Sequence, residues 1–303
     1  ARIDAHSLRR DGPVRLCYAG SVLHTRRRSP FASRSPIQLG AELYGDASLA
    51  ADIETISLML ETMRRLGVRD LTLDLGHVGI FRALMQEMAL PASVQESLFE
   101  ALQHKSAAMI EAIVADAGLD AAHARLVRRL AGLSGGRHVI DRAAQLFADA
   151  APSACAPLAA LAEVADTIAA RMPEVTLHFD LCELHGYHYH TGLVFAAYVP
   201  GQGEAIANGG RYDDIGRVFG RARPATGFSF DLKTLIGLLP AAHAAPRRGI
   251  FVDHALAGAA WQEIQRLRDG GERVVLGLPG QAGSACCDRE LRRAGGAWQI
   301  QTL

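Results

Sequence analysis

The chain has 303 residues, 49% of them hydrophobic and 21% charged, which supplies enough apolar side chain for one large domain and a small one. Lysine plus arginine and aspartate plus glutamate balance at 32 each. The basic excess that a dedicated tRNA or DNA binder exploits through counterion release is therefore missing.

Residues 15–23 alternate apolar and other side chains, as a half-buried strand does. An Arg- and Ser-rich stretch follows to Ser35, and residues 37–44 complete a long-looped hairpin. Asp46 or Ser48 can cap a helix that starts near Leu49. Its apolar positions Ile53, Ile56, Leu60, Met63 and Leu66 recur at helical spacing until Gly67 stops it. VRDLTLDLGH returns as a strand. Residues 78–170 are helical in pattern and broken at Pro91, Gly118, Gly135-Gly136 and Pro152, which reads as a helical insertion. VTLHFDL, HTGLVFAAYV and EAIANGGRYD resume the strand signal, and GFSFDLKTLIGLL passes from strand to helix. Residues 240–248 read as a linker. GIFVD, an amphipathic helix over 261–269 and RVVLGL then form a strand-helix-strand unit too short for a full-sized domain. The expected class is α+β: an antiparallel sheet with flanking helices and a helical insertion within a core over 1–240, then a small α/β unit over 249–303.

Several chemistries have no foothold. There is no P-loop, no GxGxxG after a strand, no GxSxG and no HExxH. The five cysteines, Cys17, Cys155, Cys182, Cys286 and Cys287, have no CxxC spacing and read as reduced thiols of a cytosolic protein. No apolar run approaches the length of a membrane span, and the amino terminus is polar and charged rather than signal-like.

Three segments carry candidate chemistry. In IQLGAELYG, Gln38 and Glu42 are an even number of residues apart and share one face of a strand. An amide and a carboxylate side by side suit a ligand bearing an ammonium group, and they also suit a solvated sheet face. In ELHGYHYHTG, His188 and His190 are two apart on an expected strand with Glu183 and His178 in reach. That set can be a metal site, the polar lining of a pocket, or packed and surface histidines. Asn208-Gly209-Gly210 reads as a turn whose glycines would let backbone approach a ligand, or as an ordinary hairpin. The triplet Arg26-Arg27-Arg28 reads as a solvated loop rather than a phosphate clamp.

Taken in order, these segments resemble the class II aminoacyl-tRNA synthetase core, specifically that of histidyl-tRNA synthetase. RLCYAGSVLHTRRR with IQLGAELYG resembles motif 2 and its return strand, and ELHGYHYHTGLVF the histidine-specific block. NGGRYD is similar to the glycine-rich block, and RPATGFSFDLKTL to motif 3. The resemblance runs from Ala1 to about Pro240, and it implies a motif 1 segment preceding Ala1 that carries the dimer contact. The arginines of adenylate formation fall at His24, His185 and Thr234, so the permanent cations that chemistry needs are missing and no catalytic residue is expected. The positions implied to hold histidine persist: Gln38 and Glu42 for the amino group, with Tyr189, His190 and Tyr212 walling the imidazole. This combination resembles the non-catalytic paralogue that serves as regulatory subunit of ATP phosphoribosyltransferase. The resemblance implies a short-form catalytic partner chain, L-histidine as effector, self-association as a dimer within a hetero-oligomer, and no cofactor, metal, nucleic acid or membrane.

Overall fold

The computed structural model describes residues 1–8, 11–26, 33–182, 187, 189–239 and 249–303, so the expected linker at 240–248 lies outside the described residues. The chain divides into two compact units, Ala1–Leu239 and Pro240–Leu303. After a π-helical turn at Ile3–Leu8, the first unit forms the hairpin β1 (Val14–Ser21) and β2 (Ile37–Tyr44), then α1 (Leu49–Leu66) and β3 (Thr72–His77). A helical block follows: α2 (Val78–Glu87), α3 (Ala92–Gln103), α4 (Ala107–Asp116), α5 (Ala121–Leu130), the two-residue strand β4 (Ser134–Gly135), α6 (His138–Ala150) and α7 (Cys155–Arg171). The unit closes with β5 (Thr176–Asp180), β6 (Leu193–Tyr198), β7 (Ala207–Arg211), β8 (Ala225–Asp231) and α8 (Leu232–Leu238).

The eight strands lie in the order β1-β2-β8-β7-β6-β3-β5-β4. Neighbours pair antiparallel except β3 with β5. That pair is parallel because α2–α7 supply the long crossover a parallel connection requires. One face of the sheet carries Leu73, Leu75, Phe179, Phe195, Phe228 and Phe230, which join α1 and α7 in a continuous core. α1 contributes Ile53, Ile56, Met59, Leu60 and Met63 at helical spacing. Its amino end is organised by Asp46, whose Oδ1 accepts from the Ser48 backbone N–H at 2.8 Å and the Ser48 hydroxyl at 2.6 Å. Gly67, at φ 88°, ends the helix in the left-handed region open to glycine.

The helical block has one break more than the sequence suggests, at His104–Ser106, where Lys105 takes φ 48° without a glycine or proline to announce it. With the turn before it, α7 spans Pro152–Arg171 and is long and apolar enough to cross a membrane, contrary to the hydropathy reading. Its Leu158, Leu161, Val164, Ala165 and Ile168 are buried in the core of this unit. Truncating Leu161 to alanine would cost about 2 to 5 kcal/mol.

The second unit holds β9 (Ile250–Val252), α9 (His254–Ala257), α10 (Trp261–Asp269), β10 (Val274–Leu276), β11 (Arg289–Ala294) and β12 (Ala297–Thr302). The strands lie in the order β10-β9-β11-β12, around Ile250, Val252, Ile264, Leu267 and Leu291. The β11–β12 hairpin is an addition to the expected unit. Its turn is Gly295-Gly296, both at positive φ, the pair a two-residue hairpin favours.

Candidate functional site

The face of the sheet opposite the core carries the candidate residues. Gln38, Gly40, Glu42 and Tyr44 alternate onto it along β2. The register sets Glu42 opposite Leu16 of β1 and Gly227 of β8, and Gly227 opposite Gly210 of β7. Beside Glu42 the floor is therefore bare backbone. A Cβ at Gly210 would lie 2.6 Å from the His190 ring, and one at Gly227 would lie 2.6 Å from the Tyr212 hydroxyl and 2.9 Å from Glu42 Cγ. Glycine fits both positions because the His190 ring and the Leu193 carbonyl at one, and the Tyr212 hydroxyl and the Ala41 carbonyl at the other, occupy the space a side chain would take. Asn208, Gly209 and Gly210 thus belong to β7 instead of forming the expected turn.

Tyr189, His190 and Tyr212 form the wall. Tyr189 meets His190 edge-on, with ring centroids 5.3 Å apart at 88°, and packs against Tyr212 at 5.1 Å and 34°. Both contacts have the edge or offset geometry that aromatic quadrupoles favour. The structure brings together Glu42, Tyr189, His190 and Tyr212, and Gln38 lies two side chains along β2 with its amide 3.5 Å from the Tyr18 hydroxyl. Two residues not singled out from sequence complete the cluster. The Tyr44 hydroxyl donates to Glu42 Oε2. Tyr44 was findable, since it is the next residue on the alternation that selects Gln38 and Glu42. Tyr18 was not, because the register of a long-looped hairpin is not written in its sequence.

Burial followed by the Glu42 charge pushes the Tyr189 phenol up to about 12, with Tyr18 adding to the shift. The same causes, burial first, raise Tyr18, Tyr44 and Tyr212. All four hydroxyls stay neutral near pH 7, so the pocket is an aromatic box holding one carboxylate. The Tyr212 hydroxyl is buried with no partner in hydrogen-bonding geometry among the described residues. A carboxylate among neutral tyrosines suits a cation that also carries hydrogen-bonding groups.

An adjoining cavity of about 460 Å³ shares Gln38 with this box and is lined by His24, Asn208, Glu204, Ser229, Asp231 and Thr234 among others. No arginine or lysine lines it among the described residues. His24 and Thr234, two of the three positions where the synthetase chemistry needs arginine, both face it. Thr234 is spent locally, its hydroxyl donating to Asp231 Oδ2 at 3.2 Å as α8 begins. The third position, His185, and the rest of the basic triplet, Arg27 and Arg28, lie outside the described residues.

The histidine cluster does not assemble as a metal site from the described residues. His190 precedes β6 instead of lying on a strand, and His178 is on β5, with β6 and β3 between it and β7. His178 Nδ1 lies 3.1 Å from Asp74 Oδ1 and its Nε2 lies 3.4 Å from the Ser134 hydroxyl. His188 and Glu183 lie outside the described residues, and among those described no three potential ligands converge.

The strand order and the glycine-floored pocket define a class II synthetase-like module whose adjoining cavity has no arginine or lysine among the described residues. Residues 1–235 match the family model described as histidyl-tRNA synthetase, and residues 247–301 match the ATP phosphoribosyltransferase subunit HisZ C-terminal domain. The ATP phosphoribosyltransferase regulatory subunit of Azotobacter vinelandii is 54% identical over 307 aligned positions, covering 100% of this chain and 77% of that protein. An ATP phosphoribosyltransferase regulatory subunit/histidyl-tRNA synthetase structure from Bacillus halodurans superposes with a TM-score of 0.77 at 28% identity, covering 93% of this chain and 73% of that one. A chain of the ATP phosphoribosyl transferase (HisG:HisZ) complex from Thermotoga maritima shares the fold at a TM-score of 0.59 and 20% identity, covering 75% and 77%. The chain belongs to the family of ATP phosphoribosyltransferase regulatory subunits.

Proposed function

We propose that this chain binds L-histidine in the Glu42 pocket and reports its occupancy to a short-form ATP phosphoribosyltransferase catalytic subunit in the cytoplasm, the assembly including a dimer of this chain. As a member of its family it is a regulatory subunit and not a catalyst, acting at the first step of histidine biosynthesis. The observation that carries the ligand reading is the pairing of a preserved pocket with an emptied one. Glu42, Tyr189, His190 and Tyr212 remain together, while the neighbouring cavity has His24 and Thr234 where adenylate chemistry needs arginine. A retained amino-acid pocket without chemistry matters to a cell only if another protein reads its occupancy. The partner named in the Thermotoga complex supports the choice of reader. A histidine that binds one assembly state better than another shifts the equilibrium by its differential affinity, commonly about 1 to 3 kcal/mol.

The test is phosphoribosyl-ATP formation by the catalytic chain alone and with this chain added, each with histidine titrated in. Co-elution of the two chains, a changed rate, and inhibition that depends on this chain are expected. Separate elution with identical rates and histidine responses would leave a free-standing histidine sensor as the better reading. Histidine-dependent pyrophosphate exchange into ATP, absent on this account, would instead mark a divergent synthetase.

A further inference from the structure

We infer that Arg82, on α2 of the helical block, is a positioning residue of the Glu42 pocket, holding in place the segment that carries Tyr189 and His190. The inference rests on the reading of that pocket as a histidine site. Arg82 Nη2 donates to two main-chain carbonyls of the β5–β6 connection, Tyr187 O at 3.1 Å and His190 O at 2.7 Å. Its guanidinium also lies over the Tyr187 ring, 5.2 Å from the centroid. That ring is wedged edge-on against Phe81 at 5.3 Å and tilted against Phe99 of α3 at 5.1 Å.

The arrangement explains how two side chains on a connection can have fixed places. Downstream, the connection is tied by main-chain bonds: Val78 N–H to Gly192 O at 3.0 Å and Thr191 N–H to Arg211 O at 2.7 Å. Upstream of those ties, Arg82 spans the carbonyls on either side of Tyr189. A planar guanidinium can donate to two acceptors while stacking on a ring, which an ammonium cannot reproduce. The His190 carbonyl held by Arg82 belongs to the residue whose ring lies over Gly210, and Tyr189 lies between the two held carbonyls, packed on Tyr212. Loss of the guanidinium releases both pocket walls while leaving Glu42 and the sheet floor intact. The same contacts tie the pocket wall to α2 and α3, so the ligand site and the helical block are in direct physical contact.

The experiment uses the full-length protein with L-histidine as the probe, by calorimetry, together with amide hydrogen exchange at residues 189–192 in the ligand-free state. Arg82→Met, which keeps the apolar stem, is expected to weaken histidine binding by about 10- to 100-fold, the worth of charge-assisted bonds to two carbonyls. It should also speed exchange at 189–192. Arg82→Lys should restore only part of the affinity. Leu126→Val, which thins the core of the same block at α5, should lower the melting temperature and leave affinity within about twofold, separating positioning from general loss of stability. Affinity within twofold of the parent in Arg82→Met overturns the inference. If the parent itself gives no histidine heat, the proposed ligand is wrong, and the exchange measurement alone decides the role of Arg82: unchanged protection at 189–192 overturns it, and faster exchange upholds it.

Discussion

Arg211 of β7 and Asp52 of α1 form a buried ion pair, with Nη2 and Nε lying 3.0 and 3.1 Å from Asp52 Oδ2 and both side chains almost wholly inaccessible. Arg211 also donates to the Asp46 and Ser48 carbonyls at 3.2 and 3.0 Å, so one side chain ties the start of α1 to the strand that leads into Tyr212. Burial pushes the Asp52 carboxyl up in spite of the charge and hydrogen bonds of Arg211 and the hydroxyl of Thr226. Desolvation is thus a large opposing cost of the pair, and breaking it is worse than replacing it. Asp52→Ala, which leaves the buried guanidinium only the more exposed Asp213 carboxylate, 3.3 Å from Nη1, should lower stability by about 3 kcal/mol, the lower end for a broken buried pair. Thermal unfolding checks this; a loss under about 1 kcal/mol would mean that Asp213 alone compensates Arg211.

Glu42 is the charge that all four tyrosines feel, and its side chain is 27% exposed. Glu42→Ala should weaken histidine binding by about 1.5 to 3 kcal/mol, the range of a charge-assisted contact in a desolvated site. Calorimetry on the full-length protein measures it. Unchanged affinity would move the histidine site away from this pocket.

Tyr212 gives a prediction with opposite signs in the free and bound protein. Among the described residues its buried hydroxyl has only the Tyr44 hydroxyl beside it, outside good hydrogen-bonding geometry, and a buried hydroxyl left unsatisfied costs about 1 to 3 kcal/mol. Tyr212→Phe should therefore leave the ligand-free protein as stable as the parent or more so, while weakening histidine binding by about 1 kcal/mol. Thermal unfolding with and without histidine reads both. A variant destabilised in the free state would mean that the hydroxyl is already satisfied there.

Much of this was legible before the structure, and the reasons differ by residue. Period-two alternation put Gln38 and Glu42 on one face, and helical spacing marked the buried stripe of α1, because both follow from backbone geometry alone. The ordered blocks resembling a synthetase located Tyr189, His190 and Tyr212 where no single motif could. Hidden from the sequence were features fixed by pairing partners. Tyr18 enters the cluster through the register of a hairpin with a long loop, and Arg82 through helix placement over a connection more than a hundred residues away. The glycines at 209 and 210 read as a turn because a turn signal and a floor for aromatic rings are the same residues; only Gly227 across the strand tells them apart. The β11–β12 hairpin was missed because RELRRA is mostly charged, although the Gly-Gly between its strands was a usable cue.

His77 contributes to the acid sensitivity of the first unit. It caps α2 by accepting the Gly79 N–H at Nδ1 over 3.0 Å, so protonation at that nitrogen breaks the cap. Burial, then the positive charges of Arg211 and Arg82, lowers its pKa to about 4 from the ordinary 6.5. Between those values the unfolded chain binds the proton and the folded one does not. Stability is therefore full above the unfolded value and falls as pH drops toward the folded one. From pH 7 to pH 4.5 the loss from this group is about 2 to 3 kcal/mol. His77→Asn keeps an acceptor suited to an N-cap and removes the titration. Urea unfolding followed by circular dichroism at the two pH values should show the parent losing about 2 to 3 kcal/mol more than the variant. Equal losses in the two proteins would place the acid sensitivity of this fold on its carboxylates instead.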